Sequence, residues 1–202
     1  MLQEPYVFEK ARLIVREMTD MLVLELVAKG LTCDQMVLTV VYDIENLTRP
    51  EIMDRYQGEV EPDYYGRLAP KKAYGSIGLG GQTSSAGRIM DAVTKLYERI
   101  VNPILLVRRI YVVANHVRPA DDQSAQKAAG EAYEQLELFT DYAARDAERE
   151  KEAADLEREK KVQQAVLEIK KKYGKNAILR GMNLEEGTTA RDRNRQVGGH
   201  RG

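Results

Sequence analysis

Few residues of this chain have the types and spacing that catalysis requires. Asp43 and Glu45 are the only carboxylate pair near a likely strand face. Two-metal phosphoryl transfer needs carboxylates that converge on ions about 4 Å apart, set on adjacent strands. Asp43 and Glu45 follow no such pattern, and a solvated strand end explains them better. We therefore expect no catalytic residues and no metal site in this chain.

The histidines and the cysteine point the same way. His116 and His200 have no second ligand at metal spacing, so a polar surface role is favoured over metal binding. Cys33 is the only cysteine, so it cannot form an internal disulfide, and it is most simply a packing residue. No segment has the length of apolar sequence needed to span a bilayer, and residues 1 to 15 carry no signal-peptide pattern. We expect a cytoplasmic protein.

A glycine-rich stretch could bring backbone amides close to a ligand. Gly75, Gly78, Gly80 and Gly81 lie within a predicted strand. Their spacing matches neither a dinucleotide-binding fingerprint nor a P-loop. Small residues would let main-chain N–H groups reach phosphate, and the following helix start would favour an anion. The alternative is that the glycines mark a bulged edge strand and the nearby hydroxyls only cap a helix.

Cations and hydroxyls near this stretch suit a nucleic-acid backbone. Phosphate contacts come from cations, hydroxyls and amides, and they position a duplex without reading its sequence. The candidate DNA-binding residues are Lys71, Lys72, Ser76, Thr83, Ser84, Ser85, Arg88, Arg108 and Arg109.

A short peptide further along the chain has the composition of an anchor. It reads Gln135, Leu136, Glu137, Leu138, Phe139. Two leucines and a ring would fill a preformed pocket, while the glutamine amide fixes orientation by hydrogen bonds. The alternative is structural, in that these apolar side chains, with Tyr133, hold the following helix against the preceding domain.

Hydropathy patterning predicts the elements that position these residues. Three-and-four spacing predicts a helix over 8–29, whose charged face carries Arg12, Arg16, Glu17, Asp20 and Lys29. Alternation predicts strands over 34–43, 71–83 and 104–115, and Ser84 or Ser85 caps a second helix that ends at Asn102 and Pro103. In the last strand, alternation assigns Arg108, Ile110, Val112 and Ala114 to one face and Val107, Arg109, Tyr111 and Val113 to the other. Residues 45–70 are predicted to form a long loop or hairpin.

Composition limits the chain to one globular domain with an appendage. Of 202 residues, 43% are apolar and 31% charged, which is rather polar for two cores. We expect a DNA-binding domain over 1–118, a linker with the anchor peptide over 119–140, a solvated charged helix over 141–174 and a basic tail over 175–202. Residues 170–202 hold nine Lys and Arg against three Asp and Glu, which suits phosphate or an acidic protein surface.

The run of residues resembles a known family. The segments 42–43, 58–60, 65–67, 70–71, 79–80, 83–85 and 106–110, the anchor peptide and the tail at 173–179 and 198–200 are similar to the C-terminal part of Y-family translesion DNA polymerases. The likeness is to the UV-damage-repair branch of Gram-positive bacteria. In addition, Gln135, Leu136, Leu138 and Phe139 resemble the motif by which bacterial polymerases and repair factors dock on the replicative sliding clamp.

The resemblance implies a fold and a function. It implies an α+β little-finger domain, a ferredoxin-like antiparallel sheet with two helices on one face and its first strand missing or incomplete. It also implies DNA repair by translesion synthesis, with duplex DNA and the sliding clamp as partners and no membrane. In that family the polymerase chemistry and its Mg²⁺ belong to palm, fingers and thumb domains. These domains would have to be supplied upstream on the same gene or by another chain.

Two alternatives remain open at this point. The charged helix could pair with a partner helix in a structural adaptor. The chain could also be a truncated remnant without independent function. If the sheet follows ferredoxin order, the missing first strand would be central and would leave unpaired backbone or a rearranged sheet.

Overall fold

The computed structural model describes residues 2, 4–63, 65–121, 142–197 and 200–201. It is a mixed α and β structure with an antiparallel sheet and several helices. In chain order the elements of the main domain are α1 (Phe8–Ala28), β1 (Leu31–Tyr42), α2 (Pro50–Met53), β2 (Val60–Pro62), β3 (Leu68–Pro70), β4 (Ala73–Thr83), α3 (Ala86–Ile100), β5 (Val107–Asn115) and β6 (Arg118–Pro119). They are followed by α4 (Tyr142–Tyr173), α5 (Ala190–Asn194), β7 (Gln196–Val197) and β8 (His200–Arg201). Within these residues no helix has both the length and the apolar character needed to cross a bilayer.

The main sheet is built around β1. Its strands follow the order β4-β1-β5, and both neighbours run antiparallel to β1. The long alternating apolar run of β1 explains its central place, since a central strand has one face in the core and both edges paired. The short β6 pairs antiparallel with the start of β1, opposite Leu31 and Thr32.

Two helices cover one face of the sheet, as the sequence predicts. Helices α1 and α3 pack on each other and on the strands. The core between them and the sheet contains Met36, Leu38 and Val40 of β1, all fully buried. Alternation places these residues opposite Ile77, Gly75 and Ala73 of β4 and Ala114, Val112 and Ile110 of β5, which face the same helices.

The strand order differs from the ferredoxin order. Residues 31–42 occupy the centre, so the described sheet has no central gap where a first strand would be missing. Residues before α1 pair with the start of β5 instead: Tyr6 and Val107 exchange backbone hydrogen bonds of 2.9 and 2.8 Å, and the Leu2 amide donates to the Arg108 carbonyl at 3.0 Å.

The stretch between β1 and β4 contains the predicted hairpin excursion. Strands β2 and β3 pair antiparallel, with Asp63 and Arg67 hydrogen-bonded across the turn. Asp63 accepts from the Arg67 guanidinium at 2.7 and 2.9 Å, and these bonds hold the pKa of the Asp63 carboxyl below its ordinary value. The turn of this hairpin is therefore stabilised by hydrogen bonds between Asp63 and Arg67.

The charged helix and the tail dock on the main domain, which corrects two predictions. Helix α4 is exposed along much of its described length, but Glu159 and Gln163 contact the start of α3. The helix is thus not fully solvated, because an acid and an amide at four-residue spacing find partners on the domain.

The tail covers two acids of α1 that were predicted to face solvent. Glu17 is 1% exposed and accepts hydrogen bonds from the Thr189 amide at 2.9 Å, the Thr189 hydroxyl at 3.3 Å and the Ala190 amide at 3.4 Å. Asp20 is 6% exposed and lies 2.7 Å from Arg180 Nε. Part of the basic tail is therefore engaged with acids of its own chain.

Candidate nucleic-acid interface

The candidate interface is the face of the sheet opposite α1 and α3, called here the open face. Its members alternate with core residues along three strands, so each points away from the helices. They are Gln35, Val37, Thr39 and Val41 of β1, Tyr74, Ser76 and Gly78 of β4, and Arg109, Tyr111, Val113 and Asn115 of β5.

Two exposed tyrosines share a row across the open face. Thr39 lies opposite Tyr74 on one side and opposite Tyr111 on the other. Tyr74 is 67% exposed and Tyr111 is 49% exposed. Two interstrand spacings place their backbones about 10 Å apart. The row is a shallow strip with an aromatic ring at each end.

The two successive rows on one side of this strip are small or amide-bearing. One contains Ser76, Val37 and Val113. In the next, the Asn115 side-chain amide donates to Gln35 Oε1 at 3.0 Å. This bond leaves one hydrogen of the Asn115 amide, both hydrogens of the Gln35 amide and the Asn115 carbonyl oxygen with capacity for further hydrogen bonds.

Arg109 gives the open face its charge. It is the one side chain with a formal charge at pH 7 among the eleven members of the open face, and none of these members is a carboxylate. Among the residues that the structure describes, no acid lies within salt-bridge distance of Arg109. A phosphate on this face would therefore meet a cation and no acid among the eleven open-face residues.

A cleft of about 630 Å³ adjoins the Arg109 end of the open face. The β2–β3 hairpin forms its far wall, with Tyr65 and Arg67 near the tip. Lys72 also lines it, together with four acids, Asp43, Glu45, Glu61 and Asp63. Two of these acids accept hydrogen bonds within the cleft: Asp63 accepts from the Arg67 guanidinium, and Glu61 accepts from the Lys72 backbone amide at 3.3 Å. The cleft is thus electrostatically mixed, in contrast to the open face.

Arg108 does not occupy the position that simple alternation predicts. The pairing of β1 with β5 shifts between Val41 and Tyr42, so that Val107 opposes Tyr42 and Arg109 opposes Val41. Arg108 is the extra residue of this bulge, and Val107 turns into the core at 0% exposure. The Arg108 guanidinium lies 3.5 Å from buried Asp43. Both arginines line the same cleft, and only Arg109 belongs to the open face.

The predicted hydroxyl cluster at the start of α3 is engaged within the chain. Thr83 and Ser85 are 8% exposed, and Ser85 caps α3 by accepting from the Arg88 amide. The Glu159 carboxylate accepts from the Ser85 hydroxyl at 2.7 Å and from the Gly87 amide at 3.0 Å. The Ser84 carbonyl accepts from Gln163 at 3.2 Å. The helix start that was predicted to favour phosphate already holds a carboxylate, and Ser85 acts here as the cap of α3.

The remaining predicted cations and the serine differ in their engagement. Lys71 pairs with Glu59 at 2.6 Å, which raises the pKa of the lysine and lowers that of the acid. The exposed Arg88 donates to the Leu79 carbonyl at 3.2 Å. The side chains of Ser76 and Lys72 are exposed, and Ser76 belongs to the open face.

The glycines also follow the alternative interpretation. β4 is an edge strand, and residues 79–82 lie opposite the single residue Asp34. Gly80 and Gly81 have φ of +73° and +143°, backbone conformations that side chains disfavour. They form a bulge, whereas Gly78, with open space where a Cβ would be, is the glycine that exposes backbone on the open face.

Sequence reasoning missed the two tyrosines. The alternation of β4 and β5 was enough to find them, because Tyr74 and Tyr111 share a parity with Ser76 and Arg109. The other singled-out residues have local roles. His116 Nδ1 lies 2.6 Å from Asp34 Oδ1, and burial raises the pKa of the Cys33 thiol to about 11. The anchor peptide, Gln135 to Phe139, lies outside the described residues.

In the part of the chain that the structure describes, no group of three or more His, Cys, Asp or Glu side chains is arranged to hold a metal ion. In comparisons with known proteins, no protein-family model and no curated protein matches this chain.

Proposed function

We propose that this chain is a non-catalytic factor of DNA repair that lies on duplex DNA through its open face and is tethered to the sliding clamp by residues 135–139. The proposal includes the finer fold assignment, a little-finger-like domain of the Y-family polymerase type in which residues 31–42, and not a first strand, occupy the centre of the sheet. The single observation that carries it is an open sheet face whose eleven described residues include a cation and no acid.

The shape of the open face supports contact with a nucleic-acid backbone. Ser76 and Gly78 are small, so a phosphate strand can approach β4 closely, and the Ser76 hydroxyl can donate to a phosphate oxygen. Arg109 supplies the charge-assisted contact, with Lys72 near it at the edge of the cleft. These contacts are independent of base sequence, as a factor that acts at many sites requires.

The internal contacts of the other candidates restrict this proposal. The Thr83 hydroxyl accepts from the Ser85 amide, the Ser85 hydroxyl donates to Glu159, and Arg108 lies against Asp43. The DNA contacts are therefore assigned to Ser76, Lys72 and Arg109, with Lys71 and Arg88 at the margin. The docking of α4 through Glu159 and Gln163 also gives that face of the helix a partner within the chain, which weakens the adaptor alternative.

A salt titration of duplex binding tests the DNA surface. We expect Arg109→Ala to weaken binding of a labelled duplex and to reduce the slope of log affinity against log salt by about one, since one phosphate contact is lost. Arg158→Ala is the matched control, because Arg158 is an exposed arginine on α4. Equal affinities and slopes for the parent chain and Arg109→Ala would contradict the assignment of the open face.

A second titration tests the tether. The Leu138→Ala, Phe139→Ala double variant should bind a purified bacterial sliding clamp at least about tenfold more weakly, because buried apolar anchors dominate such interfaces. Leu156→Ala, an exposed leucine on α4, is the control. Undiminished clamp affinity in the double variant would remove the tether from the proposal.

A further inference from the structure

We propose that the open face also binds single-stranded nucleic acid, with one base stacked on Tyr74 and a second on Tyr111. The inference rests on the proposed function in that it uses the same face for nucleic acid. It goes further by naming unpaired bases, in addition to duplex phosphates, as a ligand.

The geometry favours stacking at two separate places. Tyr74 and Tyr111 lie at opposite ends of one row, on the two strands that flank β1, with the small Thr39 between them. Both rings are exposed, whereas the large aromatic residues on the helix side of the domain, such as Tyr97 and Tyr42, are buried. Aromatic rings exposed on a flat sheet are the means by which several sheet proteins stack two or three bases of a single strand.

The groups around the tyrosines suit the rest of a nucleotide. Arg109 lies two residues before Tyr111 on β5 and therefore on the same face, where its guanidinium can bind a phosphate. On the other side of the row, Asn115 and Gln35 carry amide groups that can bond a base edge. Stacking of bases combined with a cation for the backbone is the usual chemistry of single-strand binding.

Charge and shape favour this ligand over a protein partner. The open face carries no carboxylate that would repel phosphate. Its apolar members are small: Val37 and Val113 lie side by side, and Thr39 separates Val37 from Val41, so they form no deep pocket for a buried anchor. A duplex presents its bases only at groove edges, so the exposed rings of Tyr74 and Tyr111 gain their stacking contacts from a single strand.

The experiment measures binding of a fluorescent 12-nucleotide oligothymidylate by anisotropy at constant ionic strength. We expect Tyr74→Ala and Tyr111→Ala each to weaken binding by roughly 5- to 150-fold, the usual effect of losing one stacked base. Tyr74→Phe keeps the ring and should retain the affinity. Tyr173→Ala is the matched control, since Tyr173 is as exposed as Tyr74 but lies on α4.

A second oligonucleotide separates stacking from charge attraction. An abasic strand of the same length keeps the phosphates and lacks the bases. We therefore expect its affinity for the parent chain to be as low as the affinity of oligothymidylate for the Tyr74→Ala, Tyr111→Ala double variant. Equal binding of the abasic and normal strands, or alanine variants with parental affinity, would overturn the inference.

The outcomes distinguish this inference from the proposed function. Duplex binding that depends on Arg109, without tyrosine-dependent binding of the single strand, overturns the stacking inference alone. Failure to bind either form of DNA overturns both. Tyrosine-dependent binding of the single strand without duplex binding overturns the duplex part of the proposed function and supports the stacking inference.

Discussion

Two buried carboxylates of α1 fix the position of the C-terminal segment. Glu17 accepts three hydrogen bonds from Thr189 and Ala190, which lie more than 170 residues later in the chain. Hydropathy could not predict this, because an acid on the polar side of an amphipathic helix is normally solvated. Its burial depends on a segment whose position is set only in the folded chain.

Removing the Glu17 carboxylate should destabilise the protein. Glu17→Ala leaves the Thr189 and Ala190 amides without their acceptor, and we expect a loss of about 1–3 kcal/mol in the free energy of unfolding. Chemical denaturation measures it. Glu186→Ala is the control, because the Glu186 side chain is 93% exposed and its ion pair with Lys10 should contribute less than about 1 kcal/mol. Equal losses in the two variants would show that Glu17 does not anchor the tail.

Asp20 should make stability depend on pH. Burial raises the pKa of this carboxyl, and the nearby Arg180 and Lys170 only partly oppose the effect. Arg180 Nε lies 2.7 Å from Oδ1, but no N–H is directed at that oxygen as a hydrogen bond, which fits the weak compensation.

The direction of the pH effect follows from linkage. Between the unfolded-state pKa of about 3.9 and the raised folded-state pKa, the folded chain binds more protons, so the Asp20 contribution to stability falls as pH rises. Asp20→Asn removes this contribution. The free energy of unfolding of the variant minus that of the parent should therefore increase with pH through this window. Urea titrations at several pH values measure it, and a decrease would contradict the account.

At the scale of elements, periodicity predicts most of the main domain. Five helix and strand assignments agree with the structure to within a few residues: α1 at 8–28, β1 at 31–42, β4 at 73–83, α3 at 86–100 and β5 at 107–115. These segments have regular spacing and clear stops, such as Gly30 after α1. The bulge at Arg108 escapes the pattern because one extra residue shifts the side-chain parity without altering composition.

The bulge in β4 can be tested through its glycines. Gly81→Ala forces a side chain into φ of +143° and should destabilise the protein by about 1–3 kcal/mol. Gly78→Ala is the control on the same strand, because the added Cβ meets open space and alanine loses less conformational entropy on folding. Thermal unfolding of both variants measures the difference. Comparable melting temperatures would show that the bulge does not require glycine at position 81.

At the scale of the whole molecule, the proposed function combines two contacts of different kinds, DNA at the open face and the sliding clamp at residues 135–139. The open face lies on a rigid sheet, whereas residues 135–139 were identified from their types and order alone. Neither contact needs to be strong, because linking two sites raises the effective concentration of each and increases overall affinity by roughly 10²–10⁴-fold. The peptide motif is readable in the sequence because its four defining residues lie within five consecutive positions, whereas the open face is assembled by the pairing of three strands that are distant in the chain.

The measurement that tests this account most directly compares binding of the whole chain to nicked circular DNA with and without a loaded sliding clamp. The account predicts binding about 100-fold tighter on the clamp-loaded circle. It also predicts that the gain disappears in the Leu138→Ala, Phe139→Ala variant and that the remaining affinity falls in Arg109→Ala. The same affinity for both circles, or a gain that survives in the Leu138→Ala, Phe139→Ala variant, would contradict it.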